Sequence, residues 1–443
     1  MIINRISTTA FALATLLSIV SIGYGQSRQV PAPQQQRAVT IHSATVHTVS
    51  GDVIEDGYVT FEEGRITQIG SGKAPKIRDA EQLDATGLHV YPGLIESFTN
   101  LGLTEVGAID VTHDSSEYGN FKPEVRAAVA LNPDSDLIPV VRSNGILTAM
   151  IRPEGGLVSG RAAVIRLDGW TWEDLAIDDT AGLIVSWPRT EPIDSRWMQK
   201  SREEQLKEID EALRDVEQKF DESTSYIRAH DADPTLKTDL RHEAMRAYLS
   251  GKKPVFVQAS SMGQIESAVA WGQRRNLNIV IVGGHEADQV IPLLKKHDIP
   301  VIIGGLHRLP GRRHSAYDQP FALPAALHEA GIRFCISSSS GAAHIRNLNH
   351  VAATSVAYGL PKSIALRAVT QYAAELLGVG DTLGTIDRGK SATLIVTNGD
   401  PLEITTDTLI AFIDGREIDL GNRQKTLYRK YRSKYIQLGL LQE

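Results

Sequence analysis

The chain has one cysteine, Cys335, among its 443 residues. A single thiol excludes any internal disulfide and excludes structural zinc sites built from several cysteines. Cys335 lies in the apolar run IRFCIS, where no neighbouring residue is spaced to activate it as a nucleophile. We therefore expect a buried strand residue with no catalytic role.

The chain also lacks an excess of positive charge. Its net charge of -7 excludes the basic footprint of a nucleic-acid-binding protein. The apolar stretch Thr8–Ile22 is too short to cross a bilayer comfortably. With Arg5 before it and Gly23 and Gly25 after it, this stretch predicts a signal peptide over 1–25, or an uncleaved anchor as the alternative. We expect an exported protein, periplasmic or secreted, without a stable membrane span after cleavage.

Two kinds of strand pattern divide the rest of the chain. Residues 38–90 and 381–420 alternate apolar and polar positions, which is typical of half-exposed antiparallel strands. Residues 91–380 contain continuous apolar runs separated by helix-period segments, which indicates parallel strands buried on both faces. Eight runs predict an α/β fold with a (β/α)8 TIM-like barrel, although AAVIRL could instead be an inserted hairpin. Because chain ends of a domain lie close together, the flanking pieces are expected to form one small split β-sandwich.

Three other segments carry their own signals. Residues 26–37 are polar and contain proline, which predicts a disordered linker. Residues 197–220 predict an amphipathic helix, either an outer barrel helix or a contact surface for another subunit. Residues 421–443, rich in Lys, Arg and Tyr, predict a C-terminal surface helix or tail.

The segments that open and close the barrel region resemble a known family. LDATGLHVYPGLIES precedes the first barrel strand, and LLGVGDTLGTIDRGKSATLIVTNGDPLE closes the region. Both resemble the amidohydrolase superfamily, in particular its imidazolonepropionase-like and prolidase-like exported members. The resemblance implies hydrolysis of C–N bonds by a water bound to one or two divalent metals, typically zinc, at the barrel mouth. It also implies a small-molecule or peptide-like ligand, and either a homo-oligomer or pairing with an active relative.

The chain departs from this family at every recognisable metal-ligand position. The family pattern P-G-x-I-D-x-H-x-H falls on 92–100, so Glu96 replaces the aspartate while Phe98 and Asn100 replace the two histidines. The remaining positions fall within strands 5, 6 and 8: Gln258, Ser260, Gly283 and, within 338–341, Ser339. Phenyl and glycine offer no lone pair, and amides and hydroxyls are weak neutral donors. We therefore predict no bound cofactor, and a binding pocket lined by Glu96, Phe98, Asn100, Gln258, Ser260, Gly283 and Ser339.

Polar residues in the loops beyond the strand ends keep a second interpretation open. His285 and Glu286 follow strand 6, His307 follows strand 7 and His344 follows strand 8. Loops at a barrel mouth can supply new ligands without changing the scaffold. The sequence thus favours a catalytically inactive amidohydrolase-related protein with a ligand-binding or partner-subunit role. The alternative is an active hydrolase of C–N bonds with a displaced or non-classical metal site, for which these four residues are the candidates.

Overall fold

The structure is a computed structural model that describes residues 29–339 and 341–442. The predicted signal peptide, 1–25, lies outside the described residues. The described chain forms two eight-stranded sheets. The strands, β1 to β16, are Val39–His47, Val53–Glu62, Arg65–Ser71, Glu81–Asp84, His89–Pro92, Leu94–Thr99, Ile146–Ile151, Val158–Arg166, Ala176–Ser186, Val255–Ala259, Ile279–Gly283, Val301–Gly304, Phe334–Ser337, Leu394–Thr397, Thr408–Ile413 and Arg416–Glu417.

Helices cover the outer face of the second sheet and the chain's C-terminal end. The α-helices, α1 to α12, are Leu137–Arg142, Trp172–Leu175, Arg202–Ala232, Leu240–Ala244, Arg246–Leu249, Met262–Arg275, Ile291–Lys296, Gln319–Glu329, Leu348–Ala357, Lys362–Ala368, Gln371–Leu376 and Arg423–Gln437. Short 3-10 turns occupy Asp110–Thr112, Ala127–Ala130, Ala287–Val290 and Ala342–Asn347. Within the described ranges no helix is long and apolar enough to cross a membrane.

The first sheet combines both ends of the chain. Its order is β16-β15-β14-β5-β1-β2-β3, with β4 pairing alongside β1. The join is the antiparallel pair β14–β5, in which Leu394 lies opposite Pro92. Ile41, Phe61 and Phe412, from both terminal segments, share one buried core. The prediction of a single β domain split by the barrel is therefore confirmed.

The second sheet is a nearly closed barrel whose strands β6 to β13 follow chain order. Seven strands run parallel, whereas β8 runs antiparallel to both β7 and β9. The run AAVIRL, which the sequence left open as a hairpin, lies in β8. The TIM-like barrel is thus confirmed, with one strand departing from the regular β/α repeat.

Alternation along the strands separates the barrel interior from the helix layer. Phe256, Ile302 and Cys335 pack together inside the barrel, while their neighbours Val257 and Ile303 belong to the core under the helices. Successive strand residues point to opposite faces. The next inward positions toward the C-terminal strand ends therefore line the barrel mouth.

The stretch 29–37 runs along both domains. The Ala32 amide donates to Asp168 Oδ2 at 3.1 Å, and Gln35 Nε2 donates to the Phe61 carbonyl at 3.0 Å. Gln29 Nε2 donates to Asp419 Oδ2 at 3.1 Å. Polar side chains and backbone amides in the described part of the predicted linker thus find acceptors on both domains, and the linker over 26–37 stays a prediction.

The amphipathic helix predicted over 197–220 corresponds to α3, which begins at Arg202. A capping box sets this start: the Ser201 side chain accepts from the Glu204 amide, and the Glu204 side chain accepts from the Ser201 amide. Its apolar stripe is buried at Val216 and Phe220, whereas Leu206 is 44% exposed. Only the C-terminal half of the predicted stripe therefore contributes to the barrel core.

Candidate functional site

A bulge in β6 turns Phe98 toward the barrel interior. The β6–β7 register shifts between Glu96 and Thr99, so three steps along β6 match two along β7. As a result Ser97, whose Oγ accepts from Cys335 Sγ at 3.3 Å, and Phe98 both face inward. Bulges commonly re-aim side chains in this way. Phe98 is 5% exposed and belongs to the interior core.

Arg152 lies over the Phe98 ring at the mouth. It follows β7 and faces inward because Met150, two residues earlier, is an interior residue. The Arg152 Cζ is 4.6 Å from the centroid of the Phe98 ring, a cation–π contact. Burial lowers the pKa of Arg152, but a guanidinium stays charged in proteins. A fixed positive charge therefore occupies the mouth next to β6 and β7.

The Arg152 guanidinium is only partly paired. Its Nη1 contacts Glu154 Oε1 at 2.8 Å, while its buried Nε has no hydrogen-bond partner. Glu154 is held in turn, since Ser115 Oγ donates to its Oε2 at 3.3 Å and Lys122 Nζ donates to its carbonyl at 3.3 Å. The loop after β7 thus fixes the guanidinium while leaving one of its donors unmatched.

Small and neutral polar groups complete the mouth. Gln258 faces inward from β10 and donates from Nε2 to Ser186 Oγ at 3.2 Å. A Cβ added at Gly304 would lie 2.1 Å from Ser339 Oγ, and one added at Gly283 would lie 2.6 Å from Ser260 Oγ. The ends of β10 to β13 therefore crowd together, and a longer side chain at either glycine would displace a serine.

Glu96 closes the barrel seam between β6 and β13. Its Oε1 accepts from the Phe98 amide at 3.1 Å and from Ser337 Oγ, and its Oε2 accepts from the Ser338 amide at 3.0 Å. The side chain is fully buried, which raises the pKa of Glu96 although these hydrogen bonds oppose the rise. Both carboxylate oxygens thus hold the two edge strands together.

Asn100 and Ser339 occupy the edges of the predicted pocket. Asn100 Nδ2 donates to Thr104 Oγ1 at 3.3 Å, so this amide serves the loop after β6. Ser339 is exposed, has a φ of 42°, and donates from its amide to Ser337 Oγ at 3.1 Å. Phe98, Gln258, Ser260, Gly283 and Ser339 thus lie at the mouth, Glu96 lies in the seam and Asn100 points to a loop. Their role in binding stays a prediction.

The candidates for a displaced site have other partners. Glu286 accepts two hydrogen bonds from Arg312, at 2.7 and 3.0 Å, and one from the Met262 amide at 2.8 Å. The Arg312 hydrogen bond lowers the pKa of Glu286. Burial, followed by the charge of Arg308, lowers the pKa of His285 to about 4, so its imidazole is neutral.

The other two candidate histidines lie apart from this ion pair. His307 Nε2 is 2.8 Å from Thr354 Oγ1, and His344 is exposed in the turn Ala342–Asn347. Across residues 29–339 and 341–442, no three His, Cys, Asp or Glu side chains are grouped so that they could hold a metal ion. The structure does not bring the four candidates into one metal site.

Sequence comparison shows which family this chain resembles. A profile of the amidohydrolase family matches residues 258–421. Amidohydrolase tasK from Hapsidospora irregularis is 24% identical over 399 residues, which cover 81% of this chain but 39% of tasK. Imidazolonepropionase from Rhizobium rhizogenes is 23% identical over 393 residues, covering 81% of this chain and 91% of that enzyme.

Solved structures share the fold. An amidohydrolase from Thermotoga maritima MSB8 superposes with a TM-score of 0.76 at 23% identity, covering 86% of this chain and 99% of that one. A Xaa-Pro dipeptidase with bound methionine gives a TM-score of 0.54 at 14% identity, covering 86% and 100% of the two chains. The barrel with its composite β domain is thus an amidohydrolase-type architecture. The predicted resemblance to the amidohydrolase superfamily is thus confirmed, and hydrolysis of C–N bonds is the general chemistry of that superfamily.

The residues at the mouth do not fit the divalent metal that the resemblance implies. The inward-facing groups Phe98, Arg152, Ser186 and Gln258 supply a phenyl ring, a cation, a hydroxyl and an amide. Divalent ions in such barrels need imidazole and carboxylate ligands, and a guanidinium repels them. Both oxygens of the nearby Glu96 carboxylate are already engaged in the seam.

Arg152, Ser186 and Gly304 were not singled out from the sequence. Arg152 had a usable signal, because it directly follows the apolar run GILTAMI, and functional side chains of such barrels lie just beyond strand ends. Its contact with Phe98 has no sequence signal, since Phe98 lies on β6 and Arg152 lies just after β7.

Proposed function

We propose that this chain is a non-hydrolytic member of the amidohydrolase superfamily that binds an anionic ligand at the barrel mouth. The observation that carries the proposal is the Arg152 guanidinium over Phe98, at 4.6 Å. A cation takes the region where the family resemblance would place a metal and its histidines.

The donor chemistry supports the loss of hydrolysis. A metal-activated water requires a bound ion that lowers the pKa of that water toward neutrality. Amide and hydroxyl oxygens such as those of Gln258 and Ser186 are weak ligands for such an ion. The rest of the scaffold is kept, and a kept scaffold with a changed site is consistent with a binding role because fold does not dictate function.

The pairing of Arg152 supports an anionic ligand. A buried N–H without a partner costs about 1–3 kcal/mol, and the Arg152 Nε is in that state. Guanidinium groups bind carboxylates with two parallel hydrogen bonds. Glu154 contacts only one nitrogen of the guanidinium, so other N–H donors of Arg152 remain available. A small carboxylate-bearing molecule or a peptide-like carboxylate is the class of ligand that fits.

The experiment measures metal content and ligand binding on the same purified chain. Elemental analysis is expected to find no stoichiometric zinc, and acyl-dipeptide and imidazolone-type substrates are expected to remain intact. Small carboxylates such as succinate and N-acetyl amino acids are expected to raise the thermal unfolding midpoint. Arg152→Gln should abolish that rise, because the glutamine amide has no positive charge and cannot donate the two parallel hydrogen bonds of a guanidinium.

The matched control is Arg166→Gln. Arg166 ends β8, at the opposite end of the barrel, and also has one carboxylate neighbour, Asp414 Oδ2 at 3.2 Å. The carboxylate effect should persist in this variant. About one divalent ion per chain, together with hydrolysis that His285→Ala abolishes, would instead establish the active hydrolase with a displaced site. Absence of any carboxylate effect in the wild-type chain would rule out the anionic ligand.

A further inference from the structure

The C-terminal helix α12 concentrates positive charge that the rest of the chain does not share. It contains no acidic residue, and its cations are Arg423, Lys425, Arg429, Lys430, Arg432 and Lys434. The whole chain nevertheless has a net charge of -7, so the remainder is more acidic still. Charge is therefore segregated onto this one helix.

The cations of α12 flank an apolar and aromatic stripe. With 3.6 residues per turn, the stripe occupies roughly 100° of the helix circumference. Its members are Leu427, Tyr428, Tyr431, Tyr435 and Leu438. Arg423, Lys430 and Lys434 fall on one side of the stripe, and Lys425, Arg429 and Arg432 fall on the other. The pattern is that of a basic amphipathic helix.

The stripe has no cover from the described chain. No residue of α12 is buried, and Tyr428, Tyr431 and Leu438 are 68%, 52% and 60% exposed. The attachment to the barrel is at the start of the helix, where Asn422 Nδ2 donates to Ser143 Oγ at 2.9 Å. The chain continues beyond the helix with Leu440 and Leu441, which are also exposed. An amphipathic helix that is held at one end thus presents its apolar face outward.

We propose that α12 docks this protein onto an anionic phospholipid surface, lying in the plane of the interface. Tyrosine rings suit the boundary between headgroups and acyl chains, and cations on both flanks of the stripe reach the headgroups. Charge complementarity selects this surface. Of the six cations of α12, Arg423 lies 4.0 Å from Asp136 Oδ2, and no ion pair to the described chain is seen for the other five, which attract anionic lipid. The acidic remainder of the chain is repelled and orients the helix toward the membrane.

The test is co-sedimentation of the full chain with vesicles of phosphatidylcholine mixed with phosphatidylglycerol, compared with pure phosphatidylcholine. Binding is expected to the anionic vesicles and should weaken as salt concentration rises. The charge-reversal variant combines Lys425→Glu, Arg429→Glu and Arg432→Glu. Since each basic residue near such a surface contributes about a five-fold factor, binding should fall on the order of 100-fold or more.

A matched variant separates local from overall charge. Arg78→Glu, Lys207→Glu and Lys296→Glu produce the same change in net charge at exposed positions away from α12, and binding should be retained within about three-fold. The pair Tyr431→Ser and Tyr435→Ser keeps every cation but should weaken binding about ten-fold through the lost apolar area. None of these positions is buried, so the thermal unfolding midpoint should not change.

Several results would overturn the proposal. One is a lack of binding to anionic vesicles, and another is equal weakening by both charge-reversal variants. A shift in solution mass caused by the α12 variants, without vesicle binding, would assign the stripe to contact between two copies. Tighter binding of a nucleic-acid duplex than of anionic vesicles at the same salt concentration would assign the helix to nucleic acid.

Discussion

Two arginine sites, one buried and one largely buried, lie at opposite ends of β7 and differ in how completely they are paired. Before β7, Asp168 accepts from Arg142 at 2.8 Å and from Arg416 at 3.0 Å, and all three side chains are less than 10% exposed. Further Arg142 donors go to the carbonyls of Leu167, at 3.0 Å, and Asp419, at 3.1 Å. This cluster joins the barrel, the composite sheet and the stretch 29–37.

After β7, Arg152 has one carboxylate neighbour, one aromatic face and one buried nitrogen without a partner. Buried polar groups are nearly always paired, so an exception calls for a specific explanation. The carboxylate of Asp168 is fully paired with arginines, as expected for a charge cluster that holds domains together. Incomplete pairing at Arg152 is what a site retains when a ligand supplies the missing partner. The Nε atoms of Arg161, Arg166 and Arg308 also lack a hydrogen-bond partner, so incomplete pairing marks a candidate binding site only together with the position of Arg152 at the barrel mouth.

The largest expected effect comes from breaking the paired cluster. Asp168→Ala leaves Arg142 and Arg416 as buried charges without their carboxylate, so the free energy of unfolding should fall by about 3–5 kcal/mol. Denaturant unfolding measures this loss. In the control Asp179→Ala, the partly exposed pair with Arg126, at 2.7 Å, is lost and the cost should stay below about 1 kcal/mol. An equal loss of unfolding free energy in the two variants would show that the Asp168 cluster does not hold the domains together.

One partly buried histidine in each domain makes the stability of the protein depend on pH. Burial lowers the pKa of His285 at the mouth, and of His47 in the composite sheet, from 6.5 to about 4. A lowered folded-state pKa means that protonation favours unfolding. The contribution of each histidine is therefore complete above pH 6.5 and is lost as the pH falls toward 4, by on the order of 1–2 kcal/mol after solvent screening.

Unfolding curves measured across this pH range test the assignment. His285→Gln and His47→Gln should each flatten the acid limb of stability, and their effects should add because the residues lie in separate domains. An unchanged acid limb in both variants would show that other groups control the acid response.

The smallest expected effect on stability is that of removing Arg152 at the barrel mouth. Arg152→Gln removes a charge whose carboxylate partner Glu154 is 35% exposed, so the free energy of unfolding should change by less than about 1 kcal/mol. The measurement is the same denaturant titration as for Asp168→Ala. A loss as large as that of Asp168→Ala would make Arg152 a structural residue and would end the distinction between the two sites.

The sequence determined the architecture because hydrophobic periodicity is a local property. Alternation over 38–90 and 381–420, and continuous apolar runs between them, sufficed to predict a barrel that splits a small β domain. The antiparallel direction of β8 was foreseen only as the alternative of an inserted hairpin at AAVIRL, since an apolar run does not record its direction. The contacts of residues 29–37 were not predicted either, because acceptors such as Asp168 and Phe61 are distant in sequence.

The sequence also determined what the site lacks, since Phe98, Asn100 and Gln258 can be read directly against the family pattern. Only the tertiary structure decided what stands in place of the missing ligands. The β6 bulge turns Phe98 inward, and the parallel neighbour β7 carries Arg152 over its ring. The reason is geometric. The sequence gives the identity of each side chain, but which side chains come into contact at two strand ends depends on strand register, and register is set when the barrel assembles.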